Sequence, residues 1–205
     1  MTTRPELTTT SAEKGETDRS AMAEAPVIIE NYHDYIPPLD VTAAVLRLIR
    51  TVPLQQLTGI GAVVLTNQAS LSRKRRESKI VARNRKIKIA DVSGLYHARY
   101  QADPAWIEIF VDEALKAWGT GWFLTRPIRN DLALGRVLYH EVGHHIHATL
   151  RPKFSDPEGF ADRWRDKLLA DYVRHHYGWM AFVAVPANAA RLIYRAFRLL
   201  QPKKI

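Results

Sequence analysis

His140, Glu141 and His144 stand in the run His140-Glu141-Val142-Gly143-His144. Residues four apart on a helix lie only about 40 degrees from each other around its axis, so both imidazoles can reach one metal ion. Glu141 falls roughly 100 degrees round from His140, which places it beside such an ion rather than in competition for it. Zinc bound there would lower the pKa of a water to near neutrality. A flanking carboxylate could then take that water's proton as it attacks a polarised carbonyl, and pass it to the leaving amine. The spacing therefore predicts a Zn2+ site of hydrolytic character, with His140 and His144 as ligands and Glu141 as general base. The chain contains no cysteine, so imidazole and carboxylate must supply every protein ligand.

These residues need a helix with a buried back. Leu134, Leu138, Val142, Ile146 and Leu150 gather on the side opposite the histidines, which would seat the helix in a core and leave the histidine face over a cleft. It should begin near Asn130 or Asp131, after Pro127, and end at about Leu150 before Pro152. A second helix is expected from Pro157 or Glu158 to Tyr177, with Gly178 at its exit, and a third from Val185 or Pro186 to Leu200. Upstream, residues 27–30 read as a strand. Residues 41–50 read as a helix capped by Asp40 and stopped by Pro53, and residues 59–66 as a strand. Period-two alternation through Ile87, Ile89 and Val92 into Gly94-Leu95-Tyr96 predicts another strand. The run Trp106 to Val111 predicts a further one, the two forming a loose hairpin before the motif helix.

With the motif in this setting, the chain resembles the zincin metallopeptidases over roughly residues 107–169. The segment Glu158-Gly159-Phe160-Ala161-Asp162 narrows the resemblance to the gluzincin branch. The resemblance implies a zincin-like α+β domain, a small mixed sheet followed by the active-site helix and a helical subdomain. It also implies hydrolysis of peptide or protein substrates, Glu158 as third metal ligand, and Asp162 as the residue that orients a ligand histidine. The connection from His144 to Glu158 is shorter than in the better-known gluzincins, so Asp156, Asp162 and His147 stand as alternative third ligands.

His147 lies on the histidine face but about 10 Å from His140 along the axis, too far for both to join His144 around one ion, and reads as a polar residue at the cleft rim. His145 points to the flank and reads as a hydrogen-bonded structural histidine. Tyr96, His97, Tyr139, Tyr172, His175, His176 and Tyr177 are candidate oxyanion donors. His176 would sit about 27 Å from Glu158 on a continuous helix. The strand over residues 107–110 is either an edge strand for an extended peptide or an ordinary core strand.

At 205 residues the chain suits one sizeable core rather than two domains. Residues 1–26 read as a disordered tail without the apolar segment of a signal peptide, residues 27–178 as the metalloprotease domain, and residues 179–205 as a helical extension. The apolar stretch from Trp179 is interrupted by Pro186, Asn188, Arg191, Arg195 and Arg198. No transmembrane segment is expected, and a cytoplasmic location is the default. The formal net charge of +9 favours anionic partners. Much of it sits in one insertion, Arg73-Lys74-Arg75-Arg76 followed by Lys79, Arg83, Arg85, Lys86 and Lys88. That block reads as a solvated face. It lacks the aromatic residues that stack bases, and nucleic acid or anionic lipid are its alternative partners. The competing readings of the whole chain are a nucleic-acid-associated protein and a non-catalytic zinc-binding interaction protein.

Overall fold

The computed structural model describes residues 25–82, 85–116, 126–150 and 156–178. All but the last two residues of the expected tail, and all of the expected extension over 179–205, lie outside the described residues.

The chain enters through strand β1 (Val27–Asn31) and helix α1 (Val41–Ile49), whose N-terminus is capped by Asp40 accepting from the Ala43 amide. A short helix, α2 (Leu54–Leu57), follows Pro53 and leads into strand β2 (Ile60–Thr66). Two α-helices then carry the site. These are α5 (Arg126–Leu150) and α6 (Pro157–Tyr177), preceded by the short α3 (Arg73–Glu77) and α4 (Val111–Lys116). The remaining strands are β3 (Lys79–Ala82), β4 (Arg85–Lys88), β5 (Gly94–His97) and β6 (Ala105–Phe110).

Four strands form one mixed sheet in the order β1-β2-β6-β5. β1 and β6 run parallel to β2, and β5 runs antiparallel to β6. The architecture is thus α+β, a small mixed sheet with helices. Alternation decides its two faces. Ile107 and Ile109 of β6 enter the main core with Leu48, Leu65, Leu134 and Leu138, whereas Phe110 packs with Leu71 and Ile89 on the other side. Along α5, Leu134, Leu138, Val142 and Ile146 are buried, and each such side chain stabilises the fold by about 1.5–3 kcal/mol relative to exposure. This holds the back of the motif helix against the sheet. Leu150, expected on the same stripe, is 63% exposed because the helix has by then outrun the core.

Two contacts fix α6 against α5. Asp131, 2% exposed, accepts hydrogen bonds from Tyr172 (2.6 Å) and Tyr177 (2.7 Å) of α6 and from Arg47 of α1 (2.9 Å). Closer to the motif, Gly143 lets the two backbones touch. A Cβ at that position would lie 2.6 Å from the Ala161 Cα and 2.8 Å from its carbonyl oxygen.

Several expectations are corrected. The alternation from Ile87 to Tyr96 is not one strand. Lys88 ends β4, a 3-10 turn over Ile89–Asp91 buries Ile89, and β5 starts afresh at Gly94. The motif helix starts at Arg126 rather than near Asn130, because Pro127 needs no amide partner in the first turn and so sits inside the helix. The strand expected to run to Val111 ends at Phe110, and Val111 instead opens α4, whose first turn carries Asp112 and Glu113. Of the two readings of residues 107–110, the structure gives the core strand, since β6 is paired on both sides and β5 takes that edge of the described sheet. The basic block is ordered as α3 and the β3–β4 hairpin, with Ile80 opposite Ile87 on one face and Lys79 opposite Lys88 on the other. No described helix is long and apolar enough to cross a membrane.

Candidate metal centre

Helix α5 presents His140 and His144 from successive turns, and their rings meet edge to face with centroids 4.7 Å apart. The two Nε2 atoms are 3.1 Å apart. Glu158, in the first turn of α6, completes the group. One carboxylate oxygen lies 3.5 Å from His140 Nε2 and the other 3.5 Å from His144 Nε2. Among the described residues, His140, His144 and Glu158 are the group of His, Asp and Glu donors close enough to hold a metal ion, with ligand atoms within 4.8 Å of one another. In a tetrahedral site with bonds of about 2.05 Å, neighbouring ligand atoms are ~3.3 Å apart. The donor set and its separations therefore fit zinc.

The other residues considered as third ligands have different positions. Asp156 caps α6, accepting from the Gly159 amide at 2.9 Å. Asp162, one turn beyond Glu158 on the same face, places Oδ1 3.1 Å from His140 Nδ1. In that position the carboxylate favours a proton on Nδ1 and leaves the Nε2 lone pair facing the site. Arg165, a further turn along, donates to Asp162 at 2.6 Å and pairs with Asp166, so it holds Asp162 in place. The His147 ring packs against Phe160, 5.3 Å between centroids.

Burial shapes the protonation of the centre. His144 is pushed down to about 4 by desolvation, then by the neighbouring His140 and His147, with Asp162 opposing, so at neutral pH its imidazole is uncharged and able to coordinate. Glu141 is 7% exposed. Desolvation and then the Glu158 charge push its carboxyl up to about 8, against a hydrogen bond from the Tyr96 backbone amide. A cation held by the three donors would draw that proton affinity back down.

The centre opens on a cleft of about 640 Å³. Its floor is the α5 face from Ala133 through Val137 to His144, and one side is β5, from Gly94 to Tyr96. Ile80 and Ile87 of the basic hairpin line it as well, so the block expected to be a solvated face has an inner surface on the cleft. Gly94 lets β5 lie against the motif helix. A Cβ there would come within 2.4 Å of Val137 Cγ1 and 3.2 Å of Glu141 Cγ. Gly94, Arg165 and the hairpin wall were missed in the sequence. Of these, only the three-residue spacing of Asp162 and Arg165 on a helix offered a signal.

The remaining aromatic and histidine candidates are engaged elsewhere. His145 is buried, with Nε2 3.0 Å from the Thr58 carbonyl oxygen and Nδ1 3.2 Å from the Tyr96 hydroxyl. The Tyr139 hydroxyl donates to the Leu48 carbonyl oxygen. Tyr172 and Tyr177 bond to Asp131, and His175 and His176 line a separate cavity with Arg47 and Arg50. His97 stacks on Trp106 at 3.7 Å and bonds to Glu108, which is 3% exposed and clasped by both terminal guanidinium nitrogens of Arg75. One arginine of the basic block is therefore a structural clamp. Comparison with family models, curated proteins and solved structures found no match to the chain.

Proposed function

We propose that the protein is a zinc-dependent metallopeptidase with a zincin-like fold of the gluzincin kind. The observation that carries this reading is the convergence of His140, His144 and Glu158 at separations suited to zinc, with the buried Glu141 carboxylate alongside. A mixed sheet whose antiparallel edge strand passes over the motif helix supports the same reading.

Zinc held by these three residues would supply Lewis acidity, polarising a carbonyl and bringing a water's pKa near neutrality. The chain's own residues do the rest. Asp162, steadied by Arg165, sets the His140 tautomer. Glu141 accepts a proton from the attacking water as its oxygen bonds to the carbonyl carbon. Glu141 then delivers that proton to the amine nitrogen as the C–N bond breaks, leaving a carboxylic acid and a free amine. An extended substrate is held by the outer edge of β5. The Phe110 amide donates to the Ser93 carbonyl, so by alternation Gly94 and Tyr96 turn their backbone groups away from β6. The Tyr96 amide faces Glu141 and lowers the proton affinity of its carboxyl, so the Tyr96 carbonyl and both Gly94 groups are the ones offered for peptide pairing.

The test is cleavage of a mixed peptide library by zinc-loaded wild-type and Glu141→Gln protein, read by mass spectrometry. Wild type should cut, and the variant should keep its zinc while turnover falls by about 10²–10⁴-fold. Equal cleavage by both, or none by the loaded wild type, contradicts the reading.

A further inference from the structure

Among the charged groups lining the cleft, the three carboxylates Glu141, Glu158 and Asp162 all belong to the metal centre, and Arg165 is paired with Asp162 and Asp166. Arg136 is different. It lies on the cleft face of α5 one turn before His140, is exposed, and forms no ion pair with any described residue. A guanidinium presents its donors in a planar fork that matches a carboxylate. An arginine that lines a cleft and meets no acid among the described residues is therefore available to one that enters from outside.

The direction of β5 says which part of a peptide would meet it. Gly94 lies against Val137 and Glu141, while the Tyr96 hydroxyl reaches His145. Strand β5 thus runs in the same sense as α5. A peptide paired antiparallel to it, the slightly stronger ladder, runs from the His145 end toward the Val137 end. Its residues on the C-terminal side of the cut bond pass Arg136. Arg136 stands four positions before His140, about 6 Å of axial rise, which an extended chain covers in roughly two residues. The hairpin wall of the cleft adds a positive field from its far side. The hairpin that turns Ile80 and Ile87 inward carries Lys79, Lys86 and Lys88 on its exposed outer side.

We infer that Arg136 makes the cleft selective for peptides bearing a carboxylate about two residues beyond the cut bond, either an acidic side chain or the chain's own C-terminus. The inference rests on the metallopeptidase reading for the identity of the ligand as a peptide, and its test is separable from catalysis. Zinc-loaded Glu141→Gln protein binds without cutting, so affinities can be read directly. The probes are acetylated hexapeptides of alanine and leucine in three series. The first carries one Glu scanned along an amidated chain, and the second carries Gln at the same positions. The third is uncharged within the chain and ends in a free carboxylate at varied length.

At one position the Glu peptide should bind about tenfold more tightly than its Gln counterpart, as expected for a charge-assisted forked pair at a partly open site. The same gain in the third series identifies the C-terminal carboxylate as the source. Adding Arg136→Gln should abolish the ratio, and Arg136→Glu should invert it, so that the Gln peptide binds more tightly than its Glu counterpart. Equal affinity across all three series, no binding of any of them, or a preference that survives Arg136→Gln overturns the inference. Wild-type turnover of the mixed library is scored separately. Selective binding without turnover sinks the hydrolase and keeps Arg136, whereas turnover without selectivity does the reverse.

Discussion

Replacing Gly143 by alanine separates the metal site from the stability of the fold. The added Cβ would lie 2.6 Å from Ala161 Cα and 2.8 Å from its carbonyl oxygen, both backbone atoms, so no side chain can swing aside. Relaxing to an ordinary contact of 3.4 Å moves α6 away from α5 by about 0.8 Å. Ala161 lies between Glu158 and Asp162 in α6, and Gly143 lies next to His144, so the displacement falls on the ligand set itself. Metal–ligand distances tolerate only about ±0.2 Å, and a shift several times larger should weaken zinc binding by roughly 10²-fold. Stability should change far less. Overpacking costs about 1–3 kcal/mol, and alanine in place of glycine in a helix returns about 1 kcal/mol. The assays are zinc affinity by competition with a chromophoric chelator and stability of the metal-free protein by urea unfolding. Zinc affinity within threefold of wild type would falsify the claim that this close approach sets the ligand geometry.

Three further perturbations test the supports around the site. Arg75→Ala leaves the buried Glu108 with His97 as its remaining partner, and should cost about 2–3 kcal/mol in urea unfolding, whereas Arg73→Ala, in an exposed pair with Glu77, should cost under ~0.5 kcal/mol. Burial alone would raise the Glu108 carboxyl, but the bonds from His97 and Arg75 outweigh it and hold it below the usual range. Its contribution is therefore full above the ordinary carboxylate pKa and is lost as pH falls through the lowered value. Arg75→Ala should flatten that acid limb of the stability profile, and an unchanged limb would show that the pair does not carry it. Asp131→Ala strands Tyr172, Tyr177 and Arg47, and should destabilise by about 3–5 kcal/mol; a change below ~1 kcal/mol would remove Asp131 as the tie between α1, α5 and α6.

What could be read from the sequence follows the range over which the responsible physics acts. The four-residue spacing of His140 and His144, the apolar stripe from Leu134 to Ile146 and the Asp40 cap are local, and α1, α5 and the site face of α5 appear where helical geometry puts them. The helix from Pro157 to Tyr177 was legible for the same reason. Strand order was not, because nothing in the residues of β5 or β6 says which of them takes the edge; that depends on β2 pairing with the far side of β6. The basic block misled through its charge. Ile80 and Ile87 are isolated among cations, and only their pairing across the hairpin makes them one apolar surface facing the cleft. Likewise Gly143 reads as an unspecified motif position until Ala161 is set against it.

The central claim is that His140, His144 and Glu158 together hold the metal. It is tested most directly by the zinc-to-protein ratio of purified wild type and of His144→Ala, Glu158→Ala and Asp156→Ala proteins after equilibration with limiting zinc and gel filtration. Wild type and Asp156→Ala should retain near-stoichiometric zinc, and His144→Ala and Glu158→Ala should lose most of it. Equal zinc in all four proteins, or loss in Asp156→Ala with retention in Glu158→Ala, would contradict the account.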